Sequence, residues 1–166
     1  IVCLLVMICL LREERVRSLN TVCVKDRNFV LYWMQSSQRT ECNMALEHAV
    51  YWADKLSQPL VVFFGLSPLF PEANLRHYTF MLEGLCEVKS RLKEKGVKLV
   101  IQDRSPELGI LDISRKASLT VVDRGYLRTL RNWYDFVAEK INCPLIQVED
   151  NVVVPVKEVT AKEEYS

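Results

Sequence analysis

The chain has 166 residues, within the roughly 100–200 residues of a single domain and long enough to bury a core of its own. Hydrophobic residues make up 49% and charged residues 26%, and 22 basic side chains against 21 acidic ones leave a net charge of +1. That balance excludes a disordered chain and a polycationic nucleic-acid coat, so any DNA contact has to be local.

The apolar run Ile1 to Leu11 is shorter than the ~20 residues of a membrane-spanning helix and lacks the charged start and cleavage site of a signal peptide. It reads as a buried or irregular leader, followed by a short basic lead-in to residue 27. With no initiator Met and no obvious terminus at Ser166, the chain is expected to be a piece of a longer protein.

From Asn28 to about residue 150, short apolar runs alternate with amphipathic stretches, the pattern of an α/β domain with a parallel sheet. Phe29 to Met34 is the first strand, and Asn43 caps a helix to about Ser57 with Ala45, Ala49, Trp52 and Leu56 on its inner face. Leu60 to Phe64 is a buried strand. After a loop holding Pro68 and Pro71, one face of a long helix carries Leu75, Tyr78, Met81 or Leu82, Leu85, Val88 and Leu92, and Gly96 ends it. Val97 to Ile101 is the third strand. Ser105 and Pro106 open a shorter helix to about Lys116, and Leu119 to Val122 is the fourth strand. A helix from about Leu127 to Lys140 turns Leu130, Trp133 or Tyr134, and Val137 inward, and Pro144 opens a fifth strand through Val148. Val152 to Val156 is an extended segment leaving the sheet, and Glu158 to Tyr165 begins a helix or linker. Right-handed crossovers turn this order into a Rossmann-like, doubly wound, five-stranded parallel sheet with helices on both faces. Ligands are then expected where the strand order reverses, among the loops after Met34, Phe64 and Val122.

The cysteines Cys3, Cys9, Cys23, Cys42, Cys86 and Cys143 form no C-x-x-C pair, and only His48 and His77 could join them. They read as free thiols of a reducing, cytoplasmic setting, with no metal site. No G-x-G-x-x-G follows the first strand, and Walker A, H-E-x-x-H and G-x-S-x-G patterns are all missing. His48 and His77 lie within helices and read as structural. Two segments remain as ligand candidates. Gln35 to Asn43 is a polar loop before a helix N-terminus, a place that favours polar or anionic ligands; equally, its Ser and Asn residues can cap while Arg39 pairs with a nearby carboxylate. Asp123-Arg124-Gly125-Tyr126-Leu127-Arg128 opens into the same crevice, as a turn near a ligand or as an Asp-capped turn with solvated arginines.

Several ordered motifs resemble those of class II cyclobutane-pyrimidine-dimer DNA photolyases. Phe29 to Arg39 followed by Asn43-Met-Ala-Leu46 is similar to the opening of that family, and Phe70 to Leu85, Val121 to Arg128, Gln147-Val-Glu, Val153-Val-Pro155 and Lys162 to Tyr165 are similar to it in the same order. The resemblance spans about Arg12 to Ser166. Ser36-Ser37-Gln38-Arg39 departs from a family loop that often reads Arg-Asp-Gln-Arg, Glu41-Cys42-Asn43 from an acidic Asp-Asn pairing, and Asp123-Arg124-Gly125 from an Asp-Phe-Ser.

The resemblance implies the N-terminal domain of a deoxyribodipyrimidine photo-lyase that repairs UV-induced dimers by light-driven electron transfer from reduced FAD. Residues 151–166 would start the linker to a helical domain, outside this chain, that holds FAD and meets UV-damaged DNA. No catalytic residue is then expected here. The α/β domain would pack on that helical domain and hold a deazaflavin-type antenna, with Met34, Gln35, Ser36, Ser37, Arg39, Asn43, Asp123, Arg124 and Gly125 as its candidate binding residues. A cryptochrome-like photoreceptor module and a free-standing nucleotide-binding or interaction domain are the alternatives.

Overall fold

The computed structural model of the chain describes residues 13–67, 70 and 73–159. The Ile1 to Leu11 leader, most of the loop around Pro68 and Pro71, and the last seven residues lie outside them. A 3-10 turn, Glu13–Arg15, leads into β1 (Val16–Ser18). There follow β2 (Phe29–Trp33), α1 (Met44–Leu56), β3 (Leu60–Leu66), α2 (Leu75–Glu94), β4 (Lys98–Asp103), α3 (Pro106–Ser114), β5 (Ala117–Asp123), α4 (Arg128–Lys140), β6 (Leu145–Val148) and the single turn α5 (Val156–Val159).

The strand order is β1-β6-β5-β2-β3-β4. The five strands expected from the sequence are β2 to β6, and they pair with one another in parallel. A sixth strand comes from the lead-in: Val16, Arg17 and Ser18 pair antiparallel with Val148, Gln147 and Ile146. Three residues show no period, which is why the sequence did not disclose it. A short, charged edge strand also shields β6 from pairing with other chains.

Alternation along β2 splits the core into two layers. Val30, Tyr32 and Met34 face α1 and α2, with Ala45, Ala49, Val88 and Leu92. Leu31 and Trp33 face α3 and α4, with Ile110, Leu130, Tyr134 and Val137. Burial on both faces is what turned this strand into a continuous apolar run in the sequence.

Asn43 caps α1 as expected, its side chain accepting from the Leu46 N–H at 2.8 Å. The inner face of α1 is Ala45, Leu46, Ala49 and Ala53, with Trp52 and Leu56 only partly covered. α2 differs more from expectation. Only Leu85, Val88 and Leu92 are buried, whereas Leu75 is 82% and Phe80 79% exposed, because the first half of the helix overhangs the sheet. Its start is fixed by Asn74 and His77, whose side chains reciprocally accept from each other's backbone N–H. Gly96, at φ +73°, ends α2 as expected. Ser105 makes no capping bond to α3; its hydroxyl instead donates to Glu107. Val153 and Val154 form bends and Val156 starts α5, where an extended segment from Val152 to Val156 was expected. No helix among the described residues is long and apolar enough to cross a membrane.

Candidate functional site

β2 and β5 are neighbours whose following helices leave toward opposite faces, so the loops after Trp33 and Asp123 meet at the carboxyl end of the sheet. Asp123 ends β5 with no solvent exposure. Its carboxylate accepts from the Ser36 N–H at 3.0 and 2.9 Å, from the Ser37 N–H at 2.7 Å, and from the Tyr32 hydroxyl at 3.3 Å. The Gln35 N–H joins them. Burial raises the Asp123 pKa to about 6, against the pull of these donors. Tyr32 is pushed well above the usual phenol value by its burial and then by the Asp123 charge.

Asn43 is the second buried organiser. Besides capping α1, its amide shares two N–H donors among the Ser37 carbonyl at 3.1 Å, the Arg39 carbonyl at 2.9 Å and the Tyr32 hydroxyl at 3.1 Å. The loop is thereby stitched to the helix it precedes. Arg39 forms an ion pair with Asp150, whose other oxygen accepts the Met44 N–H at 3.0 Å. Asn151 accepts from the Ser37 hydroxyl at 2.9 Å and donates to that of Ser36 at 3.3 Å.

The remaining candidates sit around this centre. Met34 is fully buried in the layer under α1. Gln35 accepts from the Trp33 indole and donates to the Gly65 carbonyl, bridging β2 to β3. Arg124 pairs with the buried Glu149 at 3.0 Å and stacks over the Tyr126 ring. Gly125 is buried against Leu130 and Tyr134, leaving no room for a Cβ: one would lie 2.3 Å from Leu130 Cδ1. All nine predicted residues thus gather at the carboxyl end of the sheet.

A cavity of about 620 Å³ opens beside them, lined by Arg15, Arg39, Met44, Asp150, Asn151 and residues 152–155. Of the nine, only Arg39 lines it. Among the described residues no three His, Cys, Asp or Glu side chains converge as metal ligands, and Cys23, Cys42, Cys86 and Cys143 are free thiols.

Sequence reasoning missed Tyr32, Arg15 and the run Glu149-Asp150-Asn151. Tyr32 was read only as a core residue, and its hydroxyl gave no signal. The Arg15 guanidinium is buried under the tail and donates to the carbonyls of Glu149, Val152 and Val153 at 3.2, 2.8 and 2.5 Å. The position of Glu149 and Asp150 directly after the fifth parallel strand was the available clue, since that strand lies beside β5, whose own loop meets the one after β2.

Comparison with known proteins fits this geometry. The family described as DNA photolyase matches residues 30–166. The deoxyribodipyrimidine photo-lyase of Methanothermobacter thermautotrophicus is 46% identical over 158 residues, covering 95% of this chain and 36% of that protein. Its namesake in Arabidopsis thaliana is 31% identical over 141 residues, covering 82% and 28%. The chain therefore spans about a third of the length of the curated relatives it matches. Among solved structures, the archaeal photolyase of Sulfolobus tokodaii, described with two FAD molecules, superposes with a TM-score of 0.68 at 18% identity over 80% of this chain and 32% of that one. A universal stress protein in complex with cAMP shares the fold at a TM-score of 0.52 and 14% identity, over 76% of this chain and all of that one. With the family match running from the first central strand through the crevice to the tail, the chain belongs to the DNA photolyase family.

Proposed function

We propose that this chain is the N-terminal α/β domain of a class II deoxyribodipyrimidine photo-lyase, an enzyme that splits UV-induced cyclobutane pyrimidine dimers in light. Reduced FAD, held by a helical domain outside this chain, supplies the photoexcited electron. The residues described here take no part in ring splitting; they carry an antenna chromophore of deazaflavin type and pack against the helical domain. The observation that carries this reading is the family match over residues 30–166, and the 620 Å³ cavity between the start of α1 and the segment after β6 supports it. The large exposed apolar residues support it. Among them, Leu75 opens α2 after β3, Tyr126 and Leu127 follow β5 and Val153 follows β6, which leaves apolar surface at that edge of the sheet for another domain to cover.

The test uses the product of the intact gene on a dimer-containing oligonucleotide. Repair is expected under blue or near-UV light and not in the dark, with an action spectrum that extends beyond flavin absorption. Dark repair, or no repair in light, overturns the enzyme assignment. Flavin photoreduction without repair assigns a cryptochrome-like photoreceptor, and a purely flavin action spectrum removes the antenna.

A further inference from the structure

Arg15, the last residue of the 3-10 turn before β1, is a buried cation: it is 8% exposed, yet among the described residues no carboxylate pairs with it. Its neighbours at this edge of the sheet are matched, Arg39 by Asp150 and Arg124 by Glu149. Arg15 instead donates to three carbonyls, from Nη1 to Glu149 and Val152 and from Nη2 to Val153. Carbonyl dipoles replace part of the hydration that burial removes and supply no negative charge, so the guanidinium still lacks a counter-ion. Three of its five N–H groups are used in this way, which leaves one at Nε and one at Nη2 with no acceptor among the described residues. Those two nitrogens flank one edge of the planar fork, the arrangement that grips two oxygens of a carboxylate or a phosphate at once.

The same residue lines the 620 Å³ cavity, beside the aliphatic groups of Met44, Val153, Val154 and Pro155. We infer that this cavity binds an organic anion, with its carboxylate or phosphate on the free edge of Arg15 and its apolar body against those four residues. The other charges of the wall direct the acid group to Arg15. The Asp150 side chain is 1% exposed and both its oxygens are engaged, by the Met44 N–H and by Arg39, so it repels a second anion and leaves Arg39 already neutralised. A guanidinium that served only to hold the segment after β6 would need its three carbonyls and nothing more; an anion site needs the unpaired charge and the free edge as well. The inference stands apart from the antenna reading, which asks for a chromophore and not for an acid group.

The experiment follows backbone amide and arginine Nε–H resonances of the ¹⁵N-labelled 166-residue chain. At constant ionic strength it is titrated with benzoate, with phenyl phosphate and, as their uncharged counterpart, with benzamide. At least one of the two anions is expected to shift the Arg15 Nε–H and the Val153 and Val154 amides saturably, with an affinity about tenfold or more above that of benzamide. The tighter of the two tells a carboxylate ligand from a phosphate one. Arg15→Lys keeps the charge and loses the fork, so the same shifts should then need about tenfold more anion. Lysine also gives up carbonyl bonds to the segment after β6, and for that reason the preference of the native chain for anion over amide is read independently of the variant. The inference is overturned if neither anion moves the Arg15 Nε–H saturably, or if benzamide binds as tightly as the anions. Equal affinity in a folded Arg15→Lys chain overturns it too. The action spectrum that tests the antenna is a separate readout, so either reading can fail alone.

Discussion

Replacing Asn43 by alanine tests the organisation of the crevice most directly. The residue is 1% exposed, and its side chain makes four connections to three elements. Losing the N-cap of α1 costs about 1 kcal/mol. Each of the three groups that lose a donor, the Ser37 and Arg39 carbonyls and the Tyr32 hydroxyl, adds about 0.5–1 kcal/mol, and the Arg39 carbonyl, nearest to solvent, adds least. Asn43→Ala should therefore destabilise by about 3 kcal/mol, a large share of the 5–15 kcal/mol that holds a domain folded. Asn43→Ser retains a capping oxygen and loses the donors, so it should lose about 2 kcal/mol. Asn43→Asp retains the cap but turns a carboxylate toward two carbonyl oxygens and brings charge near Asp123, so its deficit should shrink on acidification. Urea unfolding followed by circular dichroism measures all three; for a typical slope of ~2 kcal/mol per molar, the alanine variant shifts the midpoint by about 1.5 M. If Asn43→Ala loses only the ~1 kcal/mol of an ordinary cap, and serine restores it fully, the donor side of the amide contributes nothing and the clasp between loop and helix is refuted.

Other predictions probe the layers around it. A Cβ on Gly65 would lie 2.5 Å from the Pro106 Cα, so Gly65→Ala must push the start of α3 off β3 at a cost of ~1–3 kcal/mol; a loss below ~0.5 kcal/mol in urea unfolding contradicts that close approach. The folded-state pKa of Asp123 is raised from 3.8 to about 6, so its contribution to stability is complete below the lower value and lost as pH rises through the upper one. Native stability should then fall relative to Asp123→Asn between these values, and a difference that stays flat with pH refutes the shift. His48 moves the other way: burial lowers its pKa from 6.5 to about 4, and its neutral Nε2 accepts the Trp52 indole N–H at 3.1 Å. Its contribution is complete above 6.5 and lost as pH falls through about 4, so the advantage of the native chain over His48→Gln should vanish on acidification.

The sequence by itself determined the five parallel strands, the helices between them and the meeting of the 34–43 and 123–125 loops, because these follow from local periodicity and the handedness of crossovers. Asn43 as a helix cap and Gly96 as a helix stop were legible for the same reason: each acts within a few residues of itself. Arg39 could be read only as needing a carboxylate, and the partner, Asp150, lies 111 residues away in sequence. The buried Arg15, the lead-in strand it precedes, the hydroxyl of Tyr32 and the overhang of α2 were likewise decided only by the tertiary structure. Helical spacing gave Leu75 and Leu85 the same standing on α2, yet one is 82% exposed and the other 1%, because the sheet beneath ends between them. The polar loop before α1 showed the same limit. Its donors looked ready for an anionic ligand, and only the folded chain brings Asp123 and Asp150, from other strands, close enough to occupy them, since a short-range contact between distant segments leaves no period in a sequence.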